Sequence, residues 1–251
     1  AAQSFVFDSF RHPIITTQVN YIGTLNVLES IRILKLDSRF FLPSSSDMYG
    51  SARSGSVNED TPFDPISPYA VSKFSAHSAL KIYRDNYNLN ASGAILFNHE
   101  SELRGREFVT RKITFKLARL KKETLPPIEL GNLSAERDWG YADDYVKAMR
   151  LIMHNERLEE FVVGTNVLHT VREFFSLAAS FCGFEPEFVG EGLNEKCIDR
   201  ITGKILCVVN PQLFRRIDIG SLKGDFSKIK SSLGWFPQVS FENMVKKMVL
   251  S

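Results

Sequence analysis

With 251 residues the chain is long enough for one large domain or two coupled ones, and 43% hydrophobic with 24% charged residues suits a packed soluble core. Its 31 basic and 29 acidic residues leave a net charge of +2, which gives no support to a nucleic-acid binder, whose basic residues run in excess and cluster. Three cysteines, Cys182, Cys197 and Cys207, have no paired spacing, which argues against a disulfide framework or a metal site and suits a reducing compartment.

No apolar run reaches the roughly 18 residues needed to span a bilayer, so no membrane association is expected. The chain opens on Ala1-Ala2-Gln3-Ser4 with neither an initiator Met nor a signal-peptide pattern, and it reads as the later part of a longer protein. Val27, Leu28, Ile31 and Leu34 predict one apolar helix face ahead of the first strand. Residues 39–46 predict a short buried strand ending in the polar loop Ser44-Ser45-Ser46-Asp47. Ser67-Pro68 opens the next helix, with Ser as N-cap and Pro in the first turn. Residues 91–97 and 161–165 predict further strands. Helical patterns lie between them, so the sheet is expected to be parallel, in an α/β fold.

Thr170 and Glu173 form a capping box that starts a helix with apolar face Val171, Phe174, Phe175, Ala178 and Phe181, closed by Gly183. The last third holds a short helix at 227–233, then Gly234-Trp235 and Pro237, and a terminal amphipathic helix with Phe241, Met244, Val245 and Met248. Beyond about residue 100 the alternation of strand and helix gives way to loop-rich sequence, which suggests an interwoven smaller domain. Lys121-Lys122 and Lys246-Lys247 read as solvated surface.

Two stretches carry chemistry. Tyr69 and Lys73 sit one helical turn apart and share a face. A Lys ammonium beside a phenol favours the phenolate, so the Tyr69 pKa is expected to fall from about 10. Such a phenolate can take a hydroxyl proton while hydride leaves the same carbon. The pair follows, by about twenty residues, a strand C-terminus, where ligands sit in open α/β sheets. The second stretch runs through Asn98-His99-Glu100-Ser101, Arg104-Gly105 and Phe108-Val109-Thr110-Arg111-Lys112. It groups His, Arg and Lys donors around small polar residues, where a doubly charged diphosphate could lie.

With these motifs the chain resembles the extended short-chain dehydrogenase/reductase superfamily. Asn20-Tyr-Ile-Gly23-Thr24, Ser44-Ser45-Ser46-Asp47-Met48-Tyr49-Gly50 and Gly234-Trp235-Phe-Pro237 are similar to its helix, catalytic-loop and closing motifs. Within it, residues 96–101 and 108–113, Gly131-Asn132, Arg137-Asp138-Trp139-Gly140 and Asp144-Tyr-Val-Lys147 resemble the GDP-mannose 4,6-dehydratase family. The resemblance implies an NAD(P)-binding Rossmann-like parallel sheet flanked by helices, its N-terminal strands lying ahead of residue 1, with a smaller interwoven C-terminal substrate domain. Residues 1–105 and about 140–182 would form the NADP-binding part, and 106–139 with 183–251 the substrate part.

The resemblance also implies roles. Tyr69 would deprotonate the sugar 4-hydroxyl. Lys73 would hold the ribose hydroxyls and tune Tyr69. Ser45 would hydrogen-bond the 4-oxygen, where the family usually has Thr. Asp47 would be the C5 acid/base, where the family usually has Glu. His99 and Arg104 match cofactor contacts, and Ala1, Ala2, Gln3 and Ser4 a further cofactor-lining segment. Asn98, Val109, Lys112, Arg137, Arg215 and Asp218 are candidates for a GDP-sugar, GDP-mannose or a similar one. NADP, a cytoplasmic location and a homo-dimer or homo-tetramer are the family's implications.

No Gly-x-x-Gly-x-x-Gly occurs in the 251 residues, and the family carries that phosphate-binding turn near its N-terminus. Without the strands around it, a sheet edge and apolar helix faces are expected to be exposed. Two other readings stand beside the dehydratase. One is a catalytically impaired paralogue or fragment acting as a binding partner, favoured by Ser45, Asp47 and the missing turn. The other is a related GDP-sugar dehydratase, reductase or epimerase on the same fold, which as a reductase would not need the carboxylate at 47.

Overall fold

The computed structural model describes residues 2–50, 55–214 and 220–251. A parallel three-stranded sheet forms its centre, in the order Phe40–Ser45, Ala91–Leu96, Glu160–Val163. Every residue of Ala91–Leu96 is buried, as a strand covered on both faces requires. On one face, Gly23–Ile33 and Pro68–Tyr87 pack Leu28, Ile31, Ala76, Ala79 and Leu80 against Leu42 and Ala91. On the other, Ala142–His154 and Ser227–Leu233 bring Tyr145, Ala148, Ile152 and Ile229 onto Ala94, Leu96 and Phe161, with Trp235 closing the layer. Helix and strand approach closely at Gly93, where a Cβ would lie 3.0 Å from the Leu42 carbonyl oxygen and 3.1 Å from Leu80 Cδ2. The doubly wound α/β architecture is the one expected.

The helix ahead of the first strand differs from expectation. Its buried stripe is Tyr21, Leu25, Leu28 and Ile31, a spacing that follows the 3.6-residue period. Val27 and Leu34 rotate off that stripe and stay 46% and 66% exposed. A single π-helical turn, Gln18–Ile22, interrupts the run between Pro13–Thr17 and Gly23–Ile33. It buries Asn20, whose amide clasps both the N–H and the carbonyl of Gln3 at 2.8 and 3.0 Å and donates to Ser72 Oγ at 3.1 Å. Asn20 thereby ties the opening segment to the Tyr69/Lys73 helix.

A second core lies between the helices Val109–Leu120, Val171–Phe181 and Phe241–Leu250 and a four-stranded sheet. That sheet runs Pro186–Val189, Lys196–Asp199, Ile205–Val209, Ile128–Leu130, antiparallel except for the last pair. The Thr170/Glu173 capping box forms as read from the sequence. Its helix, however, sends Val171, Phe174, Phe175 and Ala178 into this second core, so residues 171–182 sit here rather than with the parallel sheet. Conversely, Ser227–Leu233 and Trp235 return to the parallel sheet. Apolar matching between faces distant in sequence decides both placements.

Cys197 and Cys207, unpaired in sequence spacing, are register partners on adjacent strands and remain free, buried thiols. At the seam between the two cores the buried Asp138 carboxylate accepts from the Thr165, Asn166 and Gly224 N–H groups at 2.8 to 2.9 Å and from the Thr165 hydroxyl at 2.7 Å.

Candidate active site

The C-terminal ends of Phe40–Ser45 and Ala91–Leu96 open into a cleft of about 770 Å³ between the two cores. Its size suits a small-molecule ligand, and its place is where open α/β sheets bind ligands. Ser67 accepts from the Ala70 N–H at 3.0 Å and Pro68 takes the first helical position, so Tyr69 and Lys73 occupy the first turns of Pro68–Tyr87 and face the cleft. Both are buried. Opposite them Ser45 caps the short 3₁₀ turn Ser46–Tyr49, its hydroxyl accepting from the Asp47 N–H at 3.2 Å. Ser45 and Asp47 line the same cleft.

The electrostatics correct one expectation. Burial pushes the Tyr69 phenol well above its usual value, and the Asp47 carboxylate pushes it further; only Ser45 and Arg104 pull it down. Lys73 does not lower it. Its Nζ donates instead to the Pro43 carbonyl at 2.8 Å and lies 6.0 Å from the Tyr69 ring centroid. Burial also weakens Lys73 as a cation, to about 8. Desolvation of a phenolate therefore outweighs the Tyr-x-x-x-Lys spacing.

His99, Asn98, Arg104, Val109, Lys112 and Arg137 all reach the cleft. His99 donates from Nδ1 to the Phe97 carbonyl at 2.9 Å and stacks on Tyr145, with ring centroids 5.0 Å apart. Burial keeps it neutral by lowering its pKa, which leaves Nε2 an acceptor. Lys112 Nζ donates to the Glu129 carbonyl at 2.6 Å, and Arg137 Nη1 to the Glu136 carbonyl at 2.6 Å. Ala2 and Ser4 line the cleft. Gln3 does not join them, because Asn20 holds its backbone and its amide donates to the Phe5 carbonyl at 2.7 Å. Ala1, Arg215 and Asp218 lie outside the described residues.

Phe5 and Arg11, which sequence reasoning passed over, also line the cleft, as do Glu100, Phe108 and Thr110, which it placed in the second stretch without assigning them a role. The spacing of Glu100 and Arg104 was the available signal, since an acid and a base four residues apart in a turn can pair. Among the described residues no cluster of His, Cys, Asp and Glu could hold a metal ion.

A family model described as GDP-mannose 4,6 dehydratase matches residues 1–248. The chain is 43% identical over 251 residues to the GDP-mannose 4,6-dehydratase of Sinorhizobium fredii, covering 99% of this chain and 72% of that one. It is 40% identical over 252 residues to the human GDP-mannose 4,6 dehydratase, covering 99% and 67%. Among solved structures, the dTDP-glucose 4,6-dehydratase DesIV of Streptomyces venezuelae, with NAD and TYD bound, superposes with a TM-score of 0.79 at 25% identity, covering 100% of this chain and 70% of that one.

Proposed function

The chain belongs to the GDP-mannose 4,6-dehydratase family, and on that premise we propose that it converts GDP-mannose to GDP-4-keto-6-deoxymannose by internal oxidation, C5/C6 water elimination and reduction. The observation that carries this reading is the convergence of Ser45, Asp47, Tyr69 and Lys73 on one cleft. We propose NADP as the cofactor. The residues present fit such a group: Lys73, His99 and Arg104 line the cleft, and the buried Arg104 Nε has no aligned hydrogen-bond acceptor among the described residues.

When bound, the dinucleotide supplies a hydride acceptor and later the donor of the same hydride. Tyr69, as the phenolate that Ser45 and Arg104 favour against its burial, takes the proton from the sugar 4-hydroxyl while Ser45 hydrogen-bonds the 4-oxygen. The 4-ketone acidifies the C5 proton, Asp47 removes it and passes a proton to the C6 hydroxyl, which leaves as water, and C5 takes up a proton again as C6 is reduced. Ala2, Ser4, Lys73, His99 and Arg104 hold the cofactor. Asn98, Val109, Lys112 and Arg137 hold the nucleotide sugar. This division treats residues 106–139 and the second core as the substrate-binding part. The exposed apolar side chains Ile14, Ile15 and Ile82 support assembly as a homo-dimer or homo-tetramer. The three free thiols support a reducing, cytoplasmic setting. Among the described residues no helix is long and apolar enough to cross a membrane.

The test is turnover of GDP-mannose with NADP by the full-length protein in deuterated water. A 4-keto-6-deoxy product carrying deuterium at C5 is expected, and its absence refutes the assignment. Asp47, one methylene shorter than the family's usual Glu, favours a second reading, a catalytically impaired paralogue that binds the sugar nucleotide. Oxidation at C4 without C5 exchange would select that reading.

A further inference from the structure

The cleft wall holds a carboxylate that the proposed mechanism does not use. Glu100 ends the strand Asn98–Glu100, is 2% exposed, and accepts from the hydroxyl of Thr110, itself buried in the first turn of Val109–Leu120, at 2.5 Å. Its Oε2 lies 3.3 Å from Arg104 Nε. Burial raises the Glu100 pKa, and Arg104 and the Thr110 hydroxyl oppose that shift; the Glu100–Arg104 contact is an ion pair rather than an aligned hydrogen bond, so it sets the direction of the guanidinium through charge. The plane is set from the other side, where the Arg104 guanidinium carbon sits 3.5 Å over the Phe108 ring centroid. Phe108 is braced edge-on by Phe5, with centroids 5.6 Å apart. One carboxylate and one ring thus restrain a side chain with many rotamers, and among the described residues its Nη nitrogens donate to no protein acceptor. Arg104 is also the cation that eases ionisation of Tyr69.

We propose that Glu100 is a positioning residue: from the deep side of the cleft, held by Thr110, it fixes the Arg104 guanidinium at the place where that charge acts on Tyr69 and on a bound dinucleotide. The proposal rests on reading this cleft as the oxidoreductive site.

The test is Glu100→Gln in the full-length protein. It keeps the shape and the Thr110 hydrogen bond and removes the charge. The sign of the effect discriminates. Losing a nearby negative charge alone would make the Tyr69 phenol easier to ionise and move the rising limb of the pH profile to lower pH. Displacing Arg104 makes ionisation harder and moves that limb to higher pH. The other titratable groups around Glu100 are His99 beside it, Tyr141 opposite it on the neighbouring strand, and Tyr145 from Ala142–His154; the Glu100 charge helps hold the Tyr145 phenol up, so the substitution eases that shift, while burial, its larger cause, remains.

We expect kcat/KM to fall by about tenfold or more, as for an ångström-scale misplacement, with the limb shifted to higher pH and little change in Tm. In an Arg104→Ala background the same substitution is expected to do almost nothing. A wild-type profile, a shift to lower pH, or an effect that persists without Arg104 overturns the proposal. Should Glu100→Gln fail to fold, Thr110→Val is read by the same criteria, with a smaller shift of the same sign. NADPH affinity, followed by its fluorescence, separates this idea from the assigned reaction. If the wild-type protein binds NADPH but turns over no GDP-mannose, the functional reading falls, while Glu100→Gln must still weaken NADPH binding by about tenfold only when Arg104 is present.

Discussion

Asp47 is the residue on which turnover is expected to hinge. A carboxylate one methylene short of its target leaves it off by about 1 Å, which costs on the order of 100-fold when nothing compensates. Asp47→Glu should therefore raise C5 deuterium exchange by about tenfold or more; an unchanged rate would show that the loop already delivers the shorter acid. Lys73 makes a different prediction. Its pKa drops from 10.5 in the open chain to about 8 when buried. Between those values the unfolded chain holds a proton that the folded one lacks, so ligand-free stability should rise with pH across about 8 to 10.5, by up to about 3 kcal/mol. Urea melts at the two ends of that window, compared with Lys73→Met, isolate the contribution: the variant should lack it. The Tyr/Lys spacing was legible in the sequence. The weakness of both groups as charges was not, because desolvation depends on residues that close over them from other segments.

At the level of elements, caps and periodicity were read well. Ser67 and Thr170 cap the helices assigned to them, and the last helix buries Met244, Val245 and Met248 as its pattern requires. The stripe on Gly23–Ile33 was misplaced because adjacent apolar positions leave more than one face available, and packing against Leu42, Ala76 and Leu80 chose Leu28 and Ile31. The strand Trp139–Tyr141 carries a sharper constraint. A Cβ on Gly140 would sit 2.4 Å from the ring of Tyr145, which also stacks on His99 and meets Trp235 edge-on. Gly140→Ala is expected to cost about 1–3 kcal/mol by overpacking and to loosen cofactor binding by displacing the His99 ring. Thermal melts and NADPH titration check both, and a variant with wild-type stability would show that Tyr145 can yield.

For the whole molecule, surface chemistry and topology point the same way. Among the described residues Phe40–Ser45 is an edge of the parallel sheet, and Phe10, Ile14, Ile15, Ile33 and Leu34 are each more than half exposed. Edges and apolar patches of this kind promote association. The 251-residue polypeptide by itself is expected to sediment as larger species, and Ile14→Lys with Ile15→Lys to reduce them. A monomer that melts cooperatively and binds NADP at micromolar affinity would refute this.

The α/β class, the parallel order of the strands, the capped Tyr69/Lys73 helix and the family motifs from Asn98 to Lys112 are determined by the sequence itself. Each rests on local periodicity, capping chemistry or a contiguous motif. The tertiary structure alone decided that Tyr69 is harder to ionise, that Lys73 turns to Pro43, and that Gln3 serves Asn20 rather than the cleft. It alone joined Cys197 to Cys207, Val171–Phe181 to the second core, and Glu100 to Thr110. Those outcomes depend on burial and on partners from other segments, quantities that exist only once the chain has closed on itself.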